Sequence, residues 1–353
     1  MNFDLTMPVV LLLVSFVATL LNRKVESKLK GVFEEREFRI RDAVMLVASI
    51  SVTVLVIVWI PQFALMAIFL FAYSMILFIF SYLFSDFSKG KASLFCLTFL
   101  TASLVAGMTI QFNYVSNDLG VYGFLTFYGL AGFALGSLIY EQVKIAKKER
   151  WYLAVLPPAL FICLYVFYGK TIIWFPYLMN LYGTVFAVLI ILYIGSLFTW
   201  KTTLVFVGLL TIADIVLVLV TKSMVSAATS ASDLRLPVLI SLPITPLMAT
   251  EKGLQYMSLG LGDFFFAGLL ATQTWRKFGK RSAIASIVAM GLSFFVFEAA
   301  LLTYGPTAFP GTVMIICGWL PLILWKKLER QHNREAYEEK KPVETESKVL
   351  LTK

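Results

Sequence analysis

Three acidic side chains lie inside apolar runs of this 353-residue chain: Asp214 in TLVFVGLLTIADIVLVLV, Glu298 in SFFVFEAALL, and Asp263 near the start of SLGLGDFFFAGLL. An ionisable group in hydrocarbon costs at least about 2.5 to 3.5 kcal/mol at a helix centre, so each is a functional candidate. Two carboxyls that meet in a low-dielectric site cannot both ionise. One keeps its proton, and the pair divides into a base that activates water and an acid that hydrogen-bonds a carbonyl. The same acids could instead hold the coupling ion of a transporter or a structural hydrogen bond between helices. Other hydrolytic chemistries fail for want of a base or ligand: the one histidine, His332, lies in a polar tail. Neither a Ser-His dyad nor a His-ligated zinc can form. Cys96, Cys163 and Cys317 are isolated, which excludes a disulfide framework and paired metal ligands. Aspartyl chemistry is the intramembrane hydrolysis left, and it needs no metal or organic cofactor.

The elements that must position these acids are helices. The chain is 59% hydrophobic and 14% charged, with apolar runs too long and too uniformly apolar for barrel strands. Breaks at charges, Pro and Gly predict an all-α, polytopic transmembrane bundle with spans near 5–21, 43–60, 62–84, 92–112, 121–140, 151–169, 171–200, 202–221, 257–275, 282–303 and 307–325. Three breaks are thin: Pro61-Gln62, Gly169-Lys170-Thr171 and the lone Lys201. The net charge of +9 belongs to the loops and not to a nucleic-acid surface. Of the 30 basic residues, 26 fall in alternate connections and the tail; only Lys170, Lys222, Arg235 and Lys252 lie on the other side. By the positive-inside rule the N-terminus is outside and the C-terminus is cytoplasmic. The first apolar run lacks a basic lead and a cleavage pattern, and reads as a retained span. The charged tail from 326 reads as frayed, and the aromatic residues as mostly lipid-facing or interfacial.

Depth follows from the rise of about 1.5 Å per residue and a hydrocarbon layer about 30 Å thick. Asp214, 13 residues beyond Lys201, comes to lie about 10 Å below the outer face. With its helix starting at Met257, Asp263 lies roughly 9 Å below the same face. The two acids reach one depth from opposite directions.

Leu259-Gly260-Leu261-Gly262-Asp263-Phe264 resembles the GxGD signature of the presenilin and signal peptide peptidase family of intramembrane aspartyl proteases. The likeness extends over about 205–311, taking in the second aspartate 49 residues upstream and the segment LPVLISLP before EKGLQYMSLGLGD. The resemblance implies Asp214 and Asp263 as the catalytic pair, and a presenilin-like core. Two departures are visible: Ala213 stands where the family has Tyr, and GPTAFPG replaces the Pro-Ala-Leu motif. From that third motif Ala308, Phe309 and Pro310 carry over as substrate-binding candidates. Nine spans are usual in the family, so residues 1–60 read as two additional spans, 61–325 as the protease core and 326–353 as a cytoplasmic tail.

The glycines have a physical reading of their own, since Gly260 and Gly262 leave room for another backbone beside the acid. The apolar stretch 236–242, including Pro237, Val238, Leu239 and Ile240, either pairs with an unwound substrate as an added strand or dips into the bilayer as an interfacial loop. Leu261 joins these as a substrate contact, and Glu298 is expected to pair with Arg235 or to make a structural hydrogen bond. The expected partners are the lipid bilayer and single-span transmembrane peptides of type II orientation, such as remnant signal peptides, with no nucleic acid and no oligomeric state assigned. An ion-coupled transporter using Asp214, Asp263 and Glu298, a prepilin-type peptidase and a non-catalytic relative are the rival readings. The first would show inverted repeats, which the sequence lacks, and the second a basic residue after Asp263.

Overall fold

The computed structural model describes residues 3–32, 37–86, 88–114, 118–143, 150–246, 249–250, 253–304 and 309–339. Twelve α-helices occur among them: α1 Thr6–Val32, α2 Ile40–Ile57, α3 Gln62–Leu83, α4 Lys89–Tyr114, α5 Asp118–Val143, α6 Trp151–Tyr168, α7 Met179–Leu197, α8 Trp200–Ile215, α9 Ser223–Asp233, α10 Leu261–Phe278, α11 Lys280–Tyr304 and α12 Gly311–Glu339. Nine helical stretches among the described residues are long and apolar enough to cross a membrane, and the first helix adds the shorter apolar run Thr6–Asn22. The expected spans in α1 and α10 are helical but fall outside those nine, and α9 is a short extra helix.

All three thin breaks are real. Pro61 caps α3 after a turn at 58–60, and a kink at Phe175 (φ −107°, ψ 125°), next to Pro176, leads from the α6 break into α7. At the third, Phe198 turns extended and Thr199 caps α8, its Oγ1 accepting the Thr202 N–H at 3.3 Å. Such a break leaves carbonyls without helical partners. The Phe198 carbonyl is recovered by Gln273 Nε2 at 2.8 Å and Arg276 Nη1 at 3.0 Å, both from α10.

The central element is α10. Every residue from Phe264 to Thr274 is buried, as expected of a helix surrounded by others. Around it stand α1, α7, α8, α11 and α12, while α2 packs on α8 and α9, and α3 on α6. An aromatic stack joins α3, α6 and α7, with Tyr73 and Phe186 rings 4.1 Å apart and Phe161 edge-on to Phe186 at 5.3 Å. These three rings pack inward, while others such as Trp59, Phe63, Phe71 and Phe112 are exposed on the outside of the bundle.

Two further expectations change. Residues 1–60 are not an appended pair: α1 lies against α7, α10 and α11, and α2 lies against α8. The hairpin of α4 and α5 is the peripheral unit, packed on itself and on α6. The apolar faces of α1 settle this, since Met7, Leu11, Val14 and Ala18 are all buried. The tail also departs from expectation, because α12 continues unbroken through the charged residues to Glu339; residues 340–353 lie outside the described ones.

Between α9 and α10 the chain forms β1 (Leu239–Pro243), β2 (Ala249–Thr250), β3 (Gly253–Leu254) and β4 (Tyr256–Gly260). Strands β1 and β4 pair antiparallel from Leu239↔Gly260 to Pro243↔Tyr256, and β2 pairs with β3. Residues 257–260, expected to open a helix, are therefore strand. The helix begins at Leu261, which puts Asp263 on its first turn.

Candidate active site

Asp214 and Asp263 come together at the start of α12. Thr312 donates to Oδ2 of Asp214 from its Oγ1 at 2.6 Å and from its backbone N–H at 3.3 Å. The preceding residue, Gly311, touches the other acid: a Cβ there would lie 2.7 Å from Asp263 Cγ. Two consecutive residues on one helical turn thus contact both carboxyls, and the acids bear on each other electrostatically. A helix N-terminus adds unpaired N–H groups and the positive end of its dipole at this point.

Local structure explains how each acid is presented. Asp214 is buried on α8, just before the helix widens into the π-type turn Val216–Val220. Such turns occur often at functional sites. Asp263 sits on the first turn of its own helix, three residues after the N-cap Gly260, where a Cβ would lie 3.5 Å from Asp263 Oδ2. Gly260 has ordinary extended φ/ψ of −71° and 147°. The proposed close backbone approach at the GxGD glycines is absent: a Cβ on Gly262 would meet nothing within 4 Å, and one on Gly260 would meet only Asp263 and Gly262. The glycine that lets backbone close on an acid is Gly311.

Phe309 stacks on Phe297 at 5.6 Å, and Pro310 is buried immediately before α12. Ala308 lies outside the described residues. Pro237 and Val238 lead into β1, Leu239 and Ile240 are in it, and the Val238 carbonyl accepts the Leu261 N–H at 3.0 Å.

The ladder closes with bonds at Val238–Leu261 and Ile244–Gln255, which sets its parity. Ser241 and Ser258 then turn their backbone groups away from the partner strand. For Ser241 both are taken: its N–H donates to Asn180 Oδ1 at 2.8 Å and its carbonyl accepts Asn180 Nδ2 at 2.6 Å. The outer edge of β1 is closed at its centre by α7. An added strand along 236–242 is therefore obstructed at Ser241, and the exposed Ser258 of β4 marks the other edge.

Glu298 lies apart from the pair. Neither of its carboxyl oxygens has a hydrogen-bond partner among the described residues, and Arg235 donates to the Gly169 and Thr171 carbonyls at 3.4 and 3.3 Å, so neither the expected Glu298–Arg235 pairing nor a structural hydrogen bond forms.

Gly311, Thr312 and Asn180 were not singled out from sequence. The signal for the first two was a Pro-Gly-Thr run opening a helix, a pattern that sets small or hydroxyl side chains on a first turn.

A family model for signal peptide peptidase matches residues 34–316. No curated protein matches the chain.

Proposed function

Because this chain belongs to the signal peptide peptidase family, a family of intramembrane aspartic proteases, we propose that it is an endopeptidase hydrolysing peptide bonds within transmembrane helices, with Asp214 and Asp263 as its dyad. The observation that carries this reading is the first turn of α12, where Thr312 and Gly311 contact the two acids together. One proton serves the pair. Two Thr312 donors favour the charge on Asp214, which takes a proton from water as that water's oxygen adds to the scissile carbonyl carbon. Asp263 meanwhile donates the hydrogen bond to the carbonyl oxygen as it gains charge, and the C–N bond breaks as the proton held by Asp214 passes to the amine, which returns the pair to one shared proton. No metal or organic cofactor is part of this scheme.

A helical substrate hides its carbonyls, so it must unwind before one reaches the dyad. The outer edge of β4, at Tyr256 and Ser258, is the better candidate to receive the unwound segment as an added strand, which moves that role from 237–240 to the strand leading straight into Asp263. Gly260, Leu261, Gly262, Phe309 and Pro310 would border it.

Loop charge favours an outside N-terminus and a cytoplasmic tail, so the Asp214 span runs outward and the Asp263 span inward. Type II helices, signal-peptide remnants among them, are the substrates that orientation suits. The direct test is incubation of the purified protein with a labelled transmembrane peptide, beside Asp214→Asn and Asp263→Asn. Both variants should fold and cleave nothing; turnover in either would end the assignment.

A further inference from the structure

We propose that Asp4, at the head of α1, is a positioning residue that clamps the active-site hairpin, and that a proton on Glu298 keeps the clamp closed. The inference rests on the protease reading and adds to it a control whose clamping residue, Asp4, lies outside the residues matching the family, which begin at 34.

Asp4 is fully buried, and both of its oxygens are engaged. Oδ1 accepts the Thr6 N–H at 3.0 Å and the Thr245 N–H at 2.8 Å, and Oδ2 accepts the Met7 N–H at 3.1 Å. The first and third cap α1. The second reaches across the fold to the residue that follows Ile244, where the β1–β4 ladder ends. Two more bonds reinforce the tie: Leu5 N–H to the Thr245 carbonyl at 3.1 Å, and Thr6 Oγ1 with Thr245 Oγ1 at 2.7 Å. From this anchor β4 runs to Gly260, the cap of the Asp263 helix. The position of Thr245 thus sets the register of the strand edge that would receive substrate.

Glu298 is also fully buried, and neither carboxyl oxygen has a hydrogen-bond partner among the described residues. Its charged neighbour is Asp4. Phe3 packs edge-on against Phe295 at 6.2 Å, which holds the head of α1 beside this stretch of α11. No described cation offsets the two acids. On α10 the acid is Asp263, turned to Asp214 and Gly311; α12 has only the exposed Cys317 before Lys326, and α11 itself has Tyr304, exposed, with Lys280 and Arg281 at its far end. A second negative charge in so dry a place would be uncompensated. Protonated, Glu298 leaves Asp4 free to hold Thr245. Ionised, it repels Asp4, and the tie to the hairpin is what gives way. Substrate docking then suffers before chemistry does.

The test uses the full chain in proteoliposomes, measuring KM and kcat against pH together with amide exchange at 239–245. In the wild type KM should climb at alkaline pH with kcat little changed, and exchange at Thr245 should quicken in parallel. Glu298→Gln, isosteric and always neutral, should flatten both trends. Asp4→Asn should raise KM about five- to tenfold across the pH range, the loss of one buried hydrogen bond. Superimposable profiles for Glu298→Gln and wild type would overturn the proposal, as would unchanged Thr245 exchange in Asp4→Asn. Exchange is also read in Asp263→Asn without substrate, so the clamp is tested even if no peptide is cleaved; a wild type that cleaves nothing but shows the exchange pattern would count against the protease reading alone.

Discussion

Replacing Thr312 by valine removes one hydroxyl and almost nothing else, which makes it the sharpest probe of the dyad. The hydroxyl lies 2.6 Å from Asp214 Oδ2 in a buried setting, while the backbone N–H at 3.3 Å is untouched by the substitution. A hydrogen bond to a charged group is worth about 1.5 to 3 kcal/mol. If that whole amount supports the ionised Asp214 in the transition state, Thr312→Val should lower kcat by about 10- to 150-fold. Valine keeps the volume and the β-branch, so KM and thermal stability should move little. Single-turnover cleavage of a fluorogenic transmembrane peptide in detergent isolates the chemical step, with Thr312→Ser expected to recover most of the rate. A well-folded valine variant with kcat within twofold of wild type would refute the claim that α12 prepares the acid.

Gly311→Ala drives a methyl group into the Asp263 carboxyl and should abolish cleavage while the helices persist by circular dichroism; normal turnover would mean that the two segments do not meet during catalysis. Ser258→Pro removes an outward N–H from β4 and should raise KM by about tenfold or more, whereas Ser241→Pro should act chiefly on stability through its lost bond to Asn180; equal KM values for Ser258→Pro and wild type would remove the β4 docking edge. A peptide mimic with a hydroxyl in place of the scissile carbonyl should compete with substrate, since it can sit between both acids. The same helix reconstituted in both directions should be cleaved in the type II orientation only, and equal cleavage would contradict the topology drawn from the loop charges.

Much of the scaffold was legible because membrane helices announce themselves by length. Eleven spans follow from apolar runs of about the bilayer's thickness, and the thin breaks at Pro61, Gly169 and Lys201 could be kept because loop charge demanded alternation. Length says nothing about neighbours. Residues 1–60 read as an addition when nine spans are assigned to the unit that holds the GxGD helix, yet α1 packs on α7, α10 and α11, and α4 with α5 stands aside. Nor could apolarity alone tell strand from helix at 256–260, where YMSLG continues an apolar run but pairs with LISLP.

The site divides along the same line. Asp214 and Asp263 were visible because a charge in hydrocarbon is costly wherever it falls, and a cost of that kind can be read from one position in the chain. Thr312, Gly311 and Asn180 carry no such signal: a threonine on a first turn, a glycine after proline and an asparagine in a span are each ordinary alone. Their meaning comes from the side chain or backbone opposite, across 98 residues for Thr312 and Asp214 and 61 for Asn180 and Ser241. Asp4 and Glu298 combine both cases. The cost of burying Glu298 marked it as a candidate from sequence, but the sequence offered Arg235 as its partner, because opposite charge is the natural guess for a buried acid. The fold instead leaves both of its carboxyl oxygens without a hydrogen-bond partner among the described residues, while Arg235 is spent on the Gly169 and Thr171 carbonyls and Asp4 on the Thr245 N–H.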